Sequence, residues 1–325
     1  MLAATVALLA FAAAATAGHA ARGGERAGHA AARSHNPFAD ARLYVDPRSR
    51  ARRQAEEWRE SRPADAAALD KIAGQPHADW FAGTRGVRAA VADRVRTIRA
   101  AGALPLLVVY NIPLRDCQGH SAGGARSAAA YRRWVRAFAA GLGRRRAVVV
   151  LEPDALAQLD CLSSPRRRER LALVAYALRV IGARRRVAVY VDAGHSGWQP
   201  AETMASRLAR VGISRARGFS LNVANFRRDS TEVAYGRAVS ARIGGKPFVI
   251  DTGRNGLGPP SGGEFCNPPG RALGRRPSAR TGRRLVDAYL WIKPPGESDG
   301  ECNGGPRAGA WWPEYALGLA RRARW

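Results

Sequence analysis

The stretch AVVVLEPD, residues 147–154, carries the pattern that decides the fold: an unbroken apolar run that ends in Glu152 and Asp154. A short continuous apolar run is typical of a strand that is buried on both faces. The pattern recurs in LLVVYN (106–111), VAVYVDAG (187–194), GFSLNVAN (218–225), PFVIDTG (247–253) and YLWIKPPG (289–296). Each of these runs predicts a buried strand.

Segments with helical spacing of apolar residues lie between these runs, at 128–142, 165–181, 201–211 and 230–243. Strands that alternate with helices predict a parallel sheet with crossover helices. Before the first run we predict a helix over 47–66 and then a loop, QPHADWFAG (75–83), that carries Trp80. A Gly- and Pro-rich stretch, 258–284, predicts a long surface loop, and 306–325 predicts a closing helix.

Polar residues follow nearly every predicted strand. They are Asn111, Asp116, Glu152, Asp154, Asp192, Asn222, Asn225, Asp251, Lys293, Glu297 and Asp299. In a β/α barrel these positions all open onto the C-terminal mouth, where the active sites of such barrels lie. An open doubly wound sheet would also place ligands at strand ends, but no GxGxxG motif follows a first strand to support a dinucleotide. We therefore predict an α/β fold of the β/α barrel type.

Several carboxylates at one barrel mouth suit the hydrolysis of a glycosidic bond. That reaction needs one carboxylic acid that stays protonated and, for inversion, a second group that activates water. Asp154, with Asp116 and Asp192 across the same mouth, is placed for such a raised pKa, because like charges and burial both disfavour ionisation. The alternative for any single aspartate is a helix N-cap, which is also common after a strand.

Aromatic residues near the strand ends are the second feature expected of a sugar site, because sugar rings expose apolar C–H faces. Trp80, Tyr110, Trp198 and Trp291 lie in or beside the predicted strand ends. Trp291 alternates with the buried face of its strand and is predicted to belong to the core. Trp198 follows a strand and two glycines, and we predict that it stacks on a sugar.

The 325 residues, 46% of them hydrophobic, are enough for one large domain. Residues 1–20 predict a signal peptide, because an apolar run from Leu2 to Ala17 ends in small residues, although a buried helix is the alternative. An Ala/Gly/Arg-rich tether is predicted over 21–34 and a catalytic domain over 35–325. The protein is thus expected to be secreted and extracellular, with no membrane contact after the signal is removed.

Four cysteines in a chain that is predicted to be exported suggest two disulfides, and their pairing stays open at this point. No CxxC or HExxH pattern indicates a metal site. The net charge of +27 raises the question of nucleic acid, but the basic residues are spread along the whole chain. We expect no nucleic-acid partner, and we keep polyanion binding by the Arg-rich surface as a rival. Only Lys71, Lys246 and Lys293 are lysines.

Six motifs in this order resemble glycoside hydrolase family 6, the inverting endoglucanases and cellobiohydrolases that act on cellulose. They are YNIPLRDC (110–117), VLEPDAL (150–156), DAGHSGW (192–198), NVANF (222–226), IDTGRNG (250–256) and WIKPPGESDGEC (291–302). The resemblance runs from about Asn36 to the C-terminus. It implies a distorted, seven-stranded barrel without a metal or an organic cofactor.

The resemblance also implies roles for individual residues. Asp154 matches the proton donor, Asp116 the aspartate that raises the donor's pKa and relays a proton, and Asp299 a disputed candidate for the base. Tyr110 matches the tyrosine that distorts the sugar at the cleavage point. The candidate substrate-binding residues are Trp80, Asp192, His195, Trp198, Asn222, Asn225, Phe265, Lys293 and Glu297. The implied disulfides are Cys117 with Cys161 and Cys266 with Cys302.

Two departures from the family pattern bear on the site. Phe265 stands where members often have tryptophan, which puts affinity at that position in doubt. Ser121 matches the holder of the catalytic water, but a shift of one residue would make Ala122 the match.

Endo action on internal β-1,4 bonds of cellulose or a related glucan is the favoured activity, because the chain has little length for the loops that roof the cleft in cellobiohydrolases. An exo-acting cellobiohydrolase and a non-catalytic glucan-binding protein are the alternatives. We expect a monomer whose partner is a polysaccharide.

Overall fold

Seven parallel β-strands, arranged in the order of the sequence, form one curled sheet at the centre of the unit Pro37–Trp325. The computed structural model describes residues 1–2, 36–83 and 85–325. The strands are β1 (Asp79–Phe81), β2 (Leu106–Val109), β3 (Ala147–Leu151), β4 (Val187–Asp192), β5 (Gly218–Leu221), β6 (Phe248–Asp251) and β7 (Val286–Leu290). Beyond Met1 and Leu2, the predicted signal peptide and tether lie outside the described residues.

The sheet curls far enough for its two ends to meet. The backbone N–H of Ala78, just before β1, donates to the carbonyl of Trp291, just after β7, at 3.0 Å. The indole Nε1 of Trp80 donates to the carbonyl of Ile292 at 2.8 Å. These bonds bring the first and last strands together, so the predicted distorted β/α barrel is confirmed.

Eight α-helices of the described residues surround the strands. They are α1 (Arg50–Trp58), α2 (Pro63–Ala73), α3 (Val87–Ala100), α4 (Ala128–Leu142), α5 (Ser164–Gly182), α6 (Ala201–Arg210), α7 (Asp229–Arg242) and α8 (Pro313–Arg321). The four helices predicted between strands, now α4 to α7, are confirmed within a residue at each end. No helix among the described residues is both long and apolar enough to cross a bilayer.

The single helix predicted over 47–66 is wrong, because the chain forms two helices there. Ser49 caps α1 by accepting the N–H of Arg52 at 3.1 Å, and the helix ends at Trp58. Pro63 then begins α2, at a position where its missing N–H costs nothing. The two helices pack against each other and against α8.

The predicted loop around Trp80 is also wrong, because residues 79–81 form the short strand β1. Three residues give too little periodicity to recognise a strand. The predicted last strand, 289–296, begins earlier in the structure, and β7 spans Val286–Leu290. The prediction that Trp291 belongs to the core is confirmed, since its side chain is fully buried.

Alternate residues of the strands divide the core into an inner and an outer layer. Leu107 and Val149 face outward and pack with the helices, whereas Val108, Val148 and Val150 face the inside of the barrel. Because both faces of the strands are covered, their sequences are continuously apolar. The inner layer fills the barrel, so a substrate can enter only at its mouth.

Candidate active site

A cleft of about 710 Å³ opens at the carboxyl ends of the strands. Most of the residues predicted for the site line it: Trp80, Tyr110, Asp116, Ser121, Asp154, His195, Trp198, Asn225, Phe265, Lys293, Glu297 and Asp299. Trp80 lies on the β1/β7 side and Trp198 follows β4, so the cleft runs across the mouth with Asp154, after β3, between them.

Asp154 follows β3 through a tight and strained turn. Glu152 has φ 50° and Asp154 has φ 69°, a left-handed conformation that non-glycine residues adopt at an energetic cost. The buried carboxylate of Glu152 holds the turn to β2, since it accepts the backbone N–H groups of Asn111 and Ile112 at 3.1 Å. The hydroxyl of Tyr131 donates to it at 2.8 Å. The turn thereby projects the Asp154 side chain into the cleft.

The electrostatic surroundings of Asp154 favour its protonated form. Burial raises the pKa of Asp154 well above its usual value, and the nearby charges of Asp192, Asp116 and Asp299 raise it further. The ammonium group of Lys293 opposes this shift. A carboxylic acid whose pKa is raised in this way can keep its proton and donate it to the leaving oxygen of a glycosidic bond.

Asp192 lies beneath the cleft wall instead of on its surface, and this corrects the prediction that it contacts substrate. Its carboxylate is 1% exposed and accepts the N–H groups of Asp154 and Gly194, both at 2.9 Å, and the hydroxyl of Ser220 at 3.0 Å. Burial raises the pKa of Asp192 to about 6. It supports the turn that carries Asp154.

Asn222 requires the same correction. Its buried side-chain amide donates to the carbonyl of Asp251 at 2.8 Å and accepts the N–H of Arg227 at 3.0 Å. These contacts fix the loop after β5. Asn225, three residues on, does line the cleft, and its amide donates to the carbonyl of Val223 at 3.1 Å.

The loop that carries Asp116 is closed by the disulfide between Cys117 and Cys161. One carboxylate oxygen of Asp116 accepts the backbone N–H of Ser121 at 2.6 Å, and the other accepts the side-chain amide of Gln158 at 2.9 Å. Both Ser121 and its neighbour Ala122 line the cleft. The contact through the N–H of Ser121 ties this residue directly to Asp116.

A second disulfide, between Cys266 and Cys302, closes the loop that carries Asp299. Both cysteine pairs are therefore those expected from the resemblance. The fully buried guanidinium of Arg254 donates to Asp299 Oδ2 at 2.8 Å, and the N–H of Asn267 donates to the same oxygen at 3.1 Å. Asp299 thus has its charge balanced by a buried arginine.

Aromatic side chains stand at both ends of the cleft. Tyr110 packs edge-on against Trp80, with ring centroids 5.2 Å apart, and His195 packs against Trp198 at 5.4 Å. Phe265 is 62% exposed, which leaves its ring free to meet a sugar. Burial, and in smaller part the charge of Arg227, lower the pKa of His195 to about 4, so this side chain is neutral at pH 7.

Lys293 and Glu297 lie beside Trp80. The Lys293 ammonium donates to the carbonyl of Ser298 at 3.2 Å and lies 3.9 Å from Asp299 Oδ1. It also stands 5.8 Å from the centre of the Trp80 ring. Glu297 lies 3.7 Å from Arg50. This side of the cleft combines one aromatic face with two charged groups that can bind hydroxyls.

The sequence profile of Glycosyl hydrolases family 6 matches residues 38–323, nearly the whole of the described domain. The chain belongs to this family. It is 49% identical over 287 residues to Endoglucanase A of Cellulomonas fimi, covering 87% of this chain and 62% of that protein. It is 45% identical over 272 residues to Endoglucanase 1 of Streptomyces sp. (strain KSM-9), covering 81% of this chain and 75% of the other.

A solved structure supports the family assignment. The endoglucanase Cel6 of Mycobacterium tuberculosis, determined in complex with methyl-cellobiosyl-4-deoxy-4-thio-β-D-cellobioside, is 46% identical and superimposes with a TM-score of 0.84, covering 88% of this chain and 99% of that one. More distant curated relatives, 29 to 32% identical, are named exoglucanase or cellobiohydrolase. The relatives thus favour the endoglucanase interpretation over the exo-acting alternative.

Some residues of this family 6 site were not predicted from the sequence. Arg254 lies inside the motif IDTGRNG, but its burial against Asp299 was not predicted. Gln158 binds Asp116 from a 3-10 helix, Ala157–Cys161, that has no pattern of its own. For Arg254 the available signal was its position three residues after a buried strand, where a charged residue needs a partner.

One group of potential metal ligands occurs in the described part of the chain, formed by His120, Cys266 and Cys302. The two cysteines are joined in a disulfide, and a disulfide does not supply the thiolates that a metal requires. This group therefore cannot serve as a metal centre while the disulfide is intact.

Proposed function

We propose that this chain is a secreted endo-β-1,4-glucanase that hydrolyses internal bonds of cellulose or a related glucan with inversion. The observation that carries the proposal is the half-buried Asp154, whose pKa is raised by burial and three neighbouring aspartates, in a cleft between two tryptophans. The named activity of the 44–49% identical relatives supports it. The predicted signal peptide and the two disulfides fit export, because disulfides persist in oxidising compartments.

In the proposed mechanism Asp154 donates its proton to the oxygen that leaves with one half of the glucan. A water molecule attacks the sugar from the opposite face, and the loop of Ser121 and Asp116 would hold that water. The negative charge of Asp116 keeps the Asp154 proton in place until transfer. Tyr110, buried beneath the cleavage point, would press the sugar out of its relaxed chair.

Asp299 is the proposed acceptor of the water's proton. Its ion pair with Arg254 makes this protonation energetically costly. A carboxylate that already serves as the counterion of a buried guanidinium gives up part of that interaction when it takes a proton. Relay of the proton through water to Asp116 is the alternative that the geometry leaves, since Asp116 makes no ion pair among the described residues.

Two measurements on carboxymethylcellulose and cello-oligosaccharides test the proposed function. Endo action predicts that viscosity falls steeply while few reducing ends appear, because each internal cut halves a long chain. Inversion predicts that proton NMR shows the α-anomer as the first product. Constant viscosity during the release of soluble sugar would contradict endo action. Glucan binding without any reducing sugar would favour the non-catalytic alternative.

The pH profile of the variant Asp116→Asn tests whether Asp116 tunes the donor. Removing this negative charge removes one of the causes that raise the pKa of Asp154, so Asp154 loses its proton at lower pH. The alkaline limb of kcat/KM is therefore expected to move to lower pH than in the wild type. The matched control is Asp93→Asn, an exposed carboxylate on α3 that pairs with Arg96. An unchanged alkaline limb in Asp116→Asn would remove Asp116 as the tuner.

A further inference from the structure

Arg227 is a charged residue of the cleft wall that neither the sequence motifs nor the roles proposed above explain. It follows the motif NVANF and lines the cleft beside Trp198. Its guanidinium rests on the backbone of Gly197, because a Cβ built on that glycine would lie 2.3 Å from Arg227 Cζ. Any larger residue at position 197 would displace the guanidinium.

The backbone of Arg227 is held at both of its polar groups. Its N–H donates to the side chain of Asn222 at 3.0 Å, and its carbonyl accepts the amide of Asn255 at 2.9 Å. Both asparagines are buried. The backbone of Arg227 is therefore fixed in position, and its side chain extends over Gly197.

The loop on which the guanidinium rests is fixed from below by Glu232 of α7. This carboxyl group is fully buried, and its Oε1 accepts the N–H of Ser196 at 3.0 Å. Burial raises the pKa of Glu232 to about 7. His195, Gly197 and Trp198 thus lie on a loop that is anchored to the helix behind it.

The side-chain N–H groups of Arg227 donate to no described residue, and the buried Glu232 acts on the guanidinium only through its charge. The other half-buried cations of the cleft are engaged: Arg115 donates to the carbonyls of Ser121 and Tyr110, and Lys293 donates to that of Ser298. Arg254, which is fully buried, binds Asp299. Arg227 therefore keeps the planar set of donors of a guanidinium available at the surface of the cleft.

We propose that Arg227 binds the hydroxyl groups of the glucosyl unit that stacks on Trp198. The inference rests on the proposed function and adds a specificity determinant at the end of the cleft opposite Trp80. A ring that stacks on the indole presents its equatorial hydroxyls sideways, toward the guanidinium beside it. The neutral His195 packed on Trp198 adds no charge that would repel Arg227.

The test measures the binding of cellotriose, cellotetraose, cellopentaose and cellohexaose to a protein that carries Asp154→Ala, so that no cleavage occurs. Arg227→Met keeps the aliphatic stem on Gly197 but removes all donors. The expected result is a loss of affinity of about 10-fold or more, as for a hydrogen bond to a charged group, that begins at the first length reaching Trp198 and stays constant beyond it. Shorter oligosaccharides should bind as before.

The matched control is Arg228→Met, since Arg228 is the exposed neighbour whose guanidinium donates to the carbonyl of Leu257 at 3.1 Å. Arg227→Lys serves as a second variant and is expected to bind more weakly than wild type at the same lengths, because an ammonium cannot form the forked contact. Equal affinity of Arg227→Met and wild type at every length would overturn the inference. So would an equal loss at every length, which indicates a displaced loop.

The same series separates this inference from the proposed function. If the chain with intact Asp154 cuts none of these oligosaccharides, the proposed function fails. If it cuts them and Arg227→Met cuts all lengths at the wild-type rate, only the role of Arg227 fails. Support for both requires cleavage by the wild type and a length-dependent rise in KM for Arg227→Met.

Discussion

Substitution of Asp154 by asparagine is expected to lower kcat on cellulose by about 10³-fold, the scale of a lost general acid. Asparagine has nearly the same volume as aspartate and preserves the backbone N–H contact with Asp192, so the turn after β3 should survive. What disappears is the proton that burial and the neighbouring aspartates hold on Asp154. Initial rates of reducing-sugar release from cellulose measure the loss.

An activated substrate provides the control within the same variant. An aryl cellobioside of an acidic phenol releases its phenolate without needing a proton from the enzyme. Asp154→Asn should therefore lose far less activity on it than on cellulose. Asp93→Asn, purified alongside, changes an exposed carboxylate outside the cleft and should keep the wild-type rate on both substrates. If Asp154→Asn kept most of its activity on cellulose, another group would have to be the donor.

Substitution of Asp299 by asparagine is expected to lower the free energy of unfolding by about 3 kcal/mol, the scale for stranding a buried charge. The Arg254 side chain is 1% exposed and its partner 13% exposed, so water can do little to replace the lost carboxylate. A fall in kcat of about 10²-fold should accompany this loss if Asp299 also takes the water's proton. Urea denaturation at pH 7 and rates on cellotetraose measure the two effects.

The double variant Arg254→Met with Asp299→Asn separates the structural role of Asp299 from its chemical role. Removing the stranded guanidinium should restore much of the stability, because an apolar side chain of similar length needs no counterion. Activity should stay low if Asp299 acts in the reaction. Recovery of both quantities would mean that Asp299 serves only to balance Arg254. A single variant as stable as the wild type would contradict the importance of the ion pair.

The sequence predicted the barrel well where one physical rule dominated. Strands β2, β3, β5 and β6 are buried along their whole length, and their apolar runs follow directly from that burial. The short strand β1 was not predicted, because its three residues are held by pairing with β2 and by the contact of Trp80 with Ile292. Such partners are distant in sequence and leave no local pattern.

The residues of the candidate site were predictable where a local sequence pattern marked them, as the strands were. Acidic residues directly after buried strands indicated Asp154, and the ordered motifs indicated Asp116 and Asp299. Whether a polar residue contacts a substrate or supports another residue depends on a few ångströms of depth. Asp192 and Arg254 both lie too deep for direct contact, and only the folded chain reveals it.

The hydrogen bonds that join β1 to the segment after β7 have a consequence for synthesis on the ribosome. Each strand from β2 to β6 can pair with the strand made just before it, so the sheet can grow as the chain emerges. Trp80, made early, obtains its partner carbonyl only when Ile292 arrives. Lys293 and Asp299 are made at the same late stage. A nascent or truncated chain can therefore contain most of the barrel and still lack part of the candidate active site.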